Sequence, residues 1–239
     1  MRTMTDIAAP SFVMAGTVAD NAAFLAGKVG EVGLCFFEGA SCLAYGEADM
    51  PPALARLPLR WHVHLPVDLP WGQGGAAAAR MARAVYDKAA YLAPHCAVLH
   101  PPVDFSLEEQ GALLREFALV WGNACPLALE NIEHGDFSLL APDAVCDFCF
   151  CLDVGHLLAF GQERILKQKT LMERVRLVHW SAPGDGDRHL PLTALTPSQH
   201  ARARAVGALL PQGVRHLIEV FRWAGVVESF PVLAQILEG

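Results

Sequence analysis

The fold class this 239-residue chain predicts is a closed (β/α)8 barrel, and three observations predict it. Short strand-like apolar runs alternate eight times with longer helical ones over short connections. The first run is followed by AGTVAD, which is not the glycine-rich phosphate turn expected of an open doubly wound sheet. Finally, six consecutive predicted strands end on a residue able to bind a metal, and the strand ends are where such barrels build their functional sites. With no linker, low-complexity stretch or internal repeat, residues 1–239 read as a single domain.

The elements follow in order. IAAPSFVMAG supplies the first strand, at 11–16; Asp6 before it and Pro10 within it, with one Arg upstream, argue against a signal peptide. The apolar pattern predicts a helix at 18–28, a strand at 31–37, a helix at 48–56 and a strand at 60–65 in WHVHLP. AAAARMARAVYDKAAYL is the clearest helix, within 75–93, made of strong helix formers with amphipathic spacing. After a strand at 95–100, SLEEQGALLREF opens the helix at 107–122, with Ser106 as N-cap and Glu109 completing a capping box. Strands at 125–130, 147–152, 175–180 and 214–220 then alternate with helices at 136–143, 157–173, 197–210 and 225–238.

The chemistry sits at the strand ends. His64, His100, Glu130, Asp153 with His156, His179 and Glu219 close successive strands, and Asp187 with His189 lies in the loop after His179. Five imidazoles and four carboxylates at one end of a sheet make an oxygen- and nitrogen-rich pocket suited to a divalent ion. Zinc is the first choice for that ion, and manganese and iron accept the same donors. Asp153 and His156 lie three apart at a strand-to-helix turn, so both can face the pocket. Glu130 emerges between the earlier histidines and the later carboxylates, where it can bridge two ions. Other histidines read differently: His62 as a hydrogen-bonded core residue, and His95, His200 and His216 as surface or structural groups. His134, just beyond Glu130, is placed for substrate contact.

Composition narrows the class. A hydrophobic fraction of 53% supplies a large core, and a net charge of −7 argues against a nucleic-acid partner. No apolar run approaches the roughly 20 residues that span a bilayer. Seven cysteines without framework spacing suggest a reducing compartment, here the cytoplasm, and Cys149 and Cys151 share the inward parity of Asp153 as core fillers. We expect a monomer.

The constellation resembles the xylose-isomerase-like barrels, the superfamily of sugar isomerases, epimerases and endonuclease IV. Two expectations follow from that resemblance. Isomerases and epimerases of the group use one metal held by a Glu, Asp, His, Glu set, which Glu130, Asp153, His179 and Glu219 would supply. Endonuclease IV-like phosphodiesterases hold three ions. By that carry-over His64, His100 and Glu130 form one site, Glu130, Asp153, His179 and Glu219 a second, and His156, Asp187 and His189 a third. Within the superfamily, FLAGKVGEVGLCFFEG, WHVHLPVDLPWG, VLHPP, LALENIE, CLDVGHLLAFG and LIEVF look like the cobamide-remodelling phosphodiesterases. That resemblance implies hydrolysis of the nucleotide-loop phosphodiester of a corrinoid by a metal-bridged hydroxide, with Glu130 and Glu219 catalytic. Trp71, His134, Trp180, Arg188, Phe221 and Trp223 would then surround the substrate. The alternative is a single-metal sugar or sugar-phosphate isomerase or epimerase in which Glu130 and Glu219 act as an acid–base pair. A non-catalytic corrinoid- or metal-binding barrel is the third reading.

Overall fold

In the computed structural model, which describes residues 2–185 and 189–238, eight parallel strands close into a barrel. They are β1 (Ala8–Pro10), β2 (Glu31–Cys35), β3 (Arg60–His64), β4 (Ala97–Leu99), β5 (Leu127–Glu130), β6 (Phe148–Asp153), β7 (Val175–Trp180) and β10 (Arg215–Ile218). Between the last two, β8 (Ala182–Pro183) and β9 (His189–Leu190) form a short antiparallel ladder that brings the chain back to the barrel mouth. The helices are α1 (Val18–Leu25), α2 (Gly39–Leu43), α3 (Gly75–Ala89), α4 (Leu107–Trp121), α5 (Val154–Phe160), α6 (Lys169–Met172), α7 (Pro197–Leu209) and α8 (Trp223–Glu238). Among the described residues no helix is long and apolar enough to cross a membrane.

Local chemistry explains where the structure departs from the apolar pattern. The first strand lies at Ala8–Pro10 and not at 11–16. Past it, the Asn21 side-chain oxygen accepts from the Val13 and Met14 amides at 2.9 and 3.1 Å and folds that run into a loop. The helices expected at 48–56 and 136–143 are only 3-10 turns, Pro52–Arg56, Phe137–Leu139 and Pro142–Val145. Two of them open on proline, which restricts the residue before it and lacks a donor. The helix expected at 157–173 starts at Val154, because Asp153 caps it, and stops at Gly161, whose φ of 66° ends it in the left-handed region.

Strand alternation divides the core in two. The outer face packs against the helices in one large apolar cluster that includes Val63, Leu99, Leu129, Leu152 and Trp180. The inner face is lined by small groups, Cys96, Val98, Ala128, Cys151 and Leu177, with Cys149 against them. Every described cysteine is a free thiol, so Cys149 and Cys151 fill the barrel as their parity predicts.

At the N-terminal end of the strands a polar hub sits under this core. Glu31 is 1% exposed, and its Oε1 accepts from His62 Nδ1 and His95 Nε2, both at 2.7 Å. Its Oε2 faces the guanidinium groups of Arg60 at 3.5 Å and Arg215 at 3.8 Å. His62 is therefore an interior residue held through Nδ1, with Nε2 buried without a hydrogen bond, and it fits only because Gly33 lies opposite: a Cβ there would stand 2.6 Å from His62 Nε2. Gly33→Ala should accordingly cost about 1–3 kcal/mol by overpacking. Urea unfolding would measure it, and a cost below about 0.5 kcal/mol would show that the ring can move aside.

Candidate metal centre

The opposite end of the barrel carries the charged groups. His64, Glu130 and Asp153 are the last residues of β3, β5 and β6, His179 is the penultimate residue of β7, and His100 and Glu219 follow β4 and β10 directly. Parallel pairing places Asp153 beside His179, and His179 beside Leu217 two residues before Glu219. The side chains meet as that register requires. His179 Nδ1 lies 2.9 Å from Glu130 Oε1, 3.0 Å from Glu219 Oε2 and 4.0 Å from Asp153 Oδ2. His64 and His100 approach the other Glu130 oxygen through their Nε2 atoms, at 3.2 and 3.4 Å.

Among the described residues four groups of donor atoms could hold a metal ion: Glu31, His62 and His95 at the far end, Glu130, Cys151 and His179, and the two expected sets, Glu130, Asp153, His179 and Glu219, and His64, His100 and Glu130. Glu130 belongs to both expected sets, as its position between the earlier histidines and later carboxylates predicts. Second partners hold the ligands in place. His64 Nδ1 is 3.0 Å from the Leu65 carbonyl and His156 Nδ1 is 2.9 Å from that of Asn131, so each donates there and turns Nε2 away. For His64 that sets a lone pair against the Glu130 carboxylate, a contact that calls for a cation or a second proton between them. Asn131 bridges the ends of β5 and β6. It donates to the Asp153 carbonyl at 2.9 Å, accepts from the Asp153 amide at 2.8 Å, and is held by Gln162 at 2.9 Å.

The electrostatics are those of crowded carboxylates around one imidazole. Burial raises the Asp153 carboxyl to about 6, with Glu130 and Glu219 adding to the rise against the pull of His156. For Glu130 burial acts in the same direction, but His179, His100 and His64 outweigh it and hold the group well below the ordinary range. Glu219 is likewise held low by His179 and His189 against its burial. Glu130 Oε2, Asp153 Oδ2 and Glu219 Oε2 are buried without a well-directed hydrogen bond. Orphaned buried carboxylate oxygens converging with imidazole nitrogens fit a divalent ion.

Above them opens a cavity of about 190 Å³ lined by Phe37, His64, Val67, His100, Glu130, His156, His189, Glu219 and Phe221. His189 Nδ1 reaches to 3.5 Å from Glu219 Oε2, and its ring meets Phe221 edge-on at 5.4 Å. The third expected ion group is joined only in part: His156 and His189 face each other at 5.5 Å between centroids, while Asp187 and Arg188 lie outside the described residues.

Several expected substrate residues are elsewhere. Trp180 is fully buried on the outer strand face, donating to His216 Nδ1 at 3.1 Å, because its neighbour His179 takes the inward position. Trp223 packs edge-on against Phe24 at the start of α8. His134 sits exposed in a tight turn with φ of 57°, beside Glu133. Trp71 rests on Phe117 and faces a neighbouring cleft, so of the expected aromatic ring only Phe221 lines the cavity. Asn131, Gln162 and Phe37 were not expected. The Asn directly after Glu130 was the one available signal, since an amide at a strand end can tie two strands together.

No family model and no curated protein matches the sequence. Solved structures do match over nearly the whole chain. A D-tagatose 3-epimerase-like protein aligns with a TM-score of 0.71 at 16% identity, over 98% of this chain and 97% of that one. An L-ribulose 3-epimerase gives 0.66 at 16% identity over 98% and 95%. Endonuclease IV from Thermus thermophilus gives 0.66 at 19% identity over 97% and 98%. The fold is thus that of the xylose-isomerase-like TIM barrels. These neighbours correct the cobamide phosphodiesterase reading. They are an epimerase-like protein, a sugar epimerase and an endonuclease, and among the described residues the expected aromatic mouth is not formed, with Trp180 buried and Trp223 half-buried against Phe24.

Proposed function

We propose that this protein is a metal-dependent sugar epimerase or isomerase, and the observation that carries the reading is the buried set Glu130, Asp153, His179 and Glu219. A divalent ion held there, manganese or zinc by donor type, would polarise a carbonyl and its neighbouring hydroxyl on a bound sugar. The chain's own groups do the proton work. Glu130 and Glu219 flank His179 from two sides, within 2.9 and 3.0 Å of the same nitrogen. That placement suits one carboxylate to take a proton from the carbon beside the carbonyl and the other to return one. The cavity above them is small and walled by Phe37 and Phe221, which suits a single ring and limits access of water.

The test follows the proton. With manganese-loaded protein in deuterium oxide, D-fructose or D-tagatose should acquire one deuterium at the carbon next to the carbonyl, read by NMR, and treatment with chelator should stop it. Exchange that persists after complete removal of metal, or no exchange with either ketose, would overturn the assignment.

A further inference from the structure

We propose that the cleft between the β3–α3 and β4–α4 loops is a second subsite, one that accepts an uncharged, ring-shaped substituent. The substrate is then a substituted keto sugar, such as a glycoside whose sugar ring itself carries the carbonyl, and not a sugar phosphate. This rests on the reading of the centre as a sugar site and adds the substrate class.

The cleft has a volume of about 450 Å³, more than twice that of the cavity over the carboxylates, and the two share Val67 and His100. A molecule with one ring at Glu130 and Glu219 therefore has room for a second group past His100. The walls are made for a flat apolar partner. Trp71 is half-buried, with its ring fixed by Phe117 at 5.3 Å between centroids, and Pro101, Pro102, Phe105 and Ile132 complete the lining. A fixed aromatic face stacks on a sugar or aryl ring with little entropy to lose.

Charge excludes the obvious competitor. Phosphate is held by Arg or Lys or by free amides at a helix N-terminus. The described lining of the cleft has no Lys or Arg and carries two exposed carboxylates, Asp68 and Asp104. Each of the two helices that begin beside it already has a carboxylate at its N-terminus. Glu116 Oε2 accepts from the Gly75 amide at 2.8 Å at the start of α3. At α4 Glu109 Oε2 accepts from the Ser106 amide at 2.9 Å, and Ser106 Oγ accepts from that of Glu109 at 3.3 Å. A phosphate in the cleft would find two exposed carboxylates and no Lys or Arg.

Binding to the zinc-loaded protein separates the cases by calorimetry, with p-nitrophenyl β-D-glucopyranoside, methyl β-D-glucopyranoside and D-glucose 6-phosphate as probes. The aryl glucoside should bind about 10-fold more tightly than the methyl glucoside, the upper range for one aromatic stack, and the phosphate most weakly of the three. Trp71→Ala should erase the aryl advantage. Because Trp71 also packs on Phe117, Asp104→Lys on the exposed loop is the independent check, and it should raise the affinity for glucose 6-phosphate several-fold. Equal affinities for the two glucosides, or glucose 6-phosphate as the tightest ligand, would overturn the proposal. Calorimetry needs no turnover, so loss of deuterium exchange with the aryl advantage intact would sink the epimerase reading alone. Exchange with equal glucoside affinities would sink only the subsite.

Discussion

Glu130→Gln should abolish turnover, with kcat falling by about 10³-fold or more, the upper range for removing one preorganised electrostatic group. No other residue serves both expected sets: Glu130 faces His179 with one oxygen and His64 and His100 with the other. The substitution keeps size and burial but removes the negative charge, so metal content per folded chain should drop at both groups together. Stability should fall as well. His179, His100 and His64 hold the Glu130 carboxyl well below its ordinary range, so the ionised group is a net favourable partner in the fold that a neutral amide does not replace. Metal-free Glu130→Gln should therefore unfold at a lower urea concentration than metal-free wild type. Near-normal exchange of deuterium by this variant would show that Glu130 is neither ligand nor base.

Glu31→Ala should be strongly destabilising, at about 3–5 kcal/mol, because it removes the buried acceptor of the wholly buried His62. His62 is wholly buried, and its Nδ1 would lose its partner, while Arg60 and Arg215 would face each other without an anion. The same hub sets an acid limit. Burial would raise the Glu31 carboxyl, but hydrogen bonds from His62 and His95 overcome this and hold it far below the ordinary range. A depressed folded pKa means that the unfolded chain takes up the proton first. The stabilisation is thus complete above the unfolded value of about 4.3 and is lost as pH falls below it toward the folded value. Urea midpoints between pH 3 and pH 6 should fall toward acid in wild type and fall less in Glu31→Ala. Parallel slopes in the two proteins would remove Glu31 from the account.

The barrel was legible because its evidence is repeated: eight short, largely apolar strands alternate with helices, and six of them end on or beside a residue able to bind a metal. Those ends also revealed the centre, since His64, Glu130, Asp153, His179 and Glu219 lie where strand parity sends them. What failed depended on direction and on partners. Trp180 stands one residue past an inward histidine, so it points outward, and a count of aromatics near strand ends ignores that. The loop after β1 is held by Asn21, a side chain whose reach no apolar pattern reports. The Glu31 hub was hidden for a related reason. Glu31, Arg60 and Arg215 start strands, His95 precedes one and His62 lies within one, so none marks a strand end, and only closure of the barrel brings Glu31 and His95 to the same point. Substrate was the least legible, because one constellation of ligands serves both phosphodiester and sugar chemistry, and the difference lies in the walls around it.

Asp153 carries more than its charge. One oxygen accepts from the His156 amide at 2.6 Å and so starts α5, while the other faces His179. Its backbone is clasped by Asn131 at both amide and carbonyl. Few routes of gradual change lead away from such a position. Asparagine would keep the helix start and lose the charge, glutamate would keep the charge and misplace the cap, and alanine would lose both. A lineage that replaces the Asp153 carboxylate has to rebuild the start of α5 in the same step, whereas one that keeps it is free to vary Phe37, Val67 and Phe221 around a fixed anchor. New specificities in this barrel should therefore arise by exchange of wall residues, with position 153 the last to move.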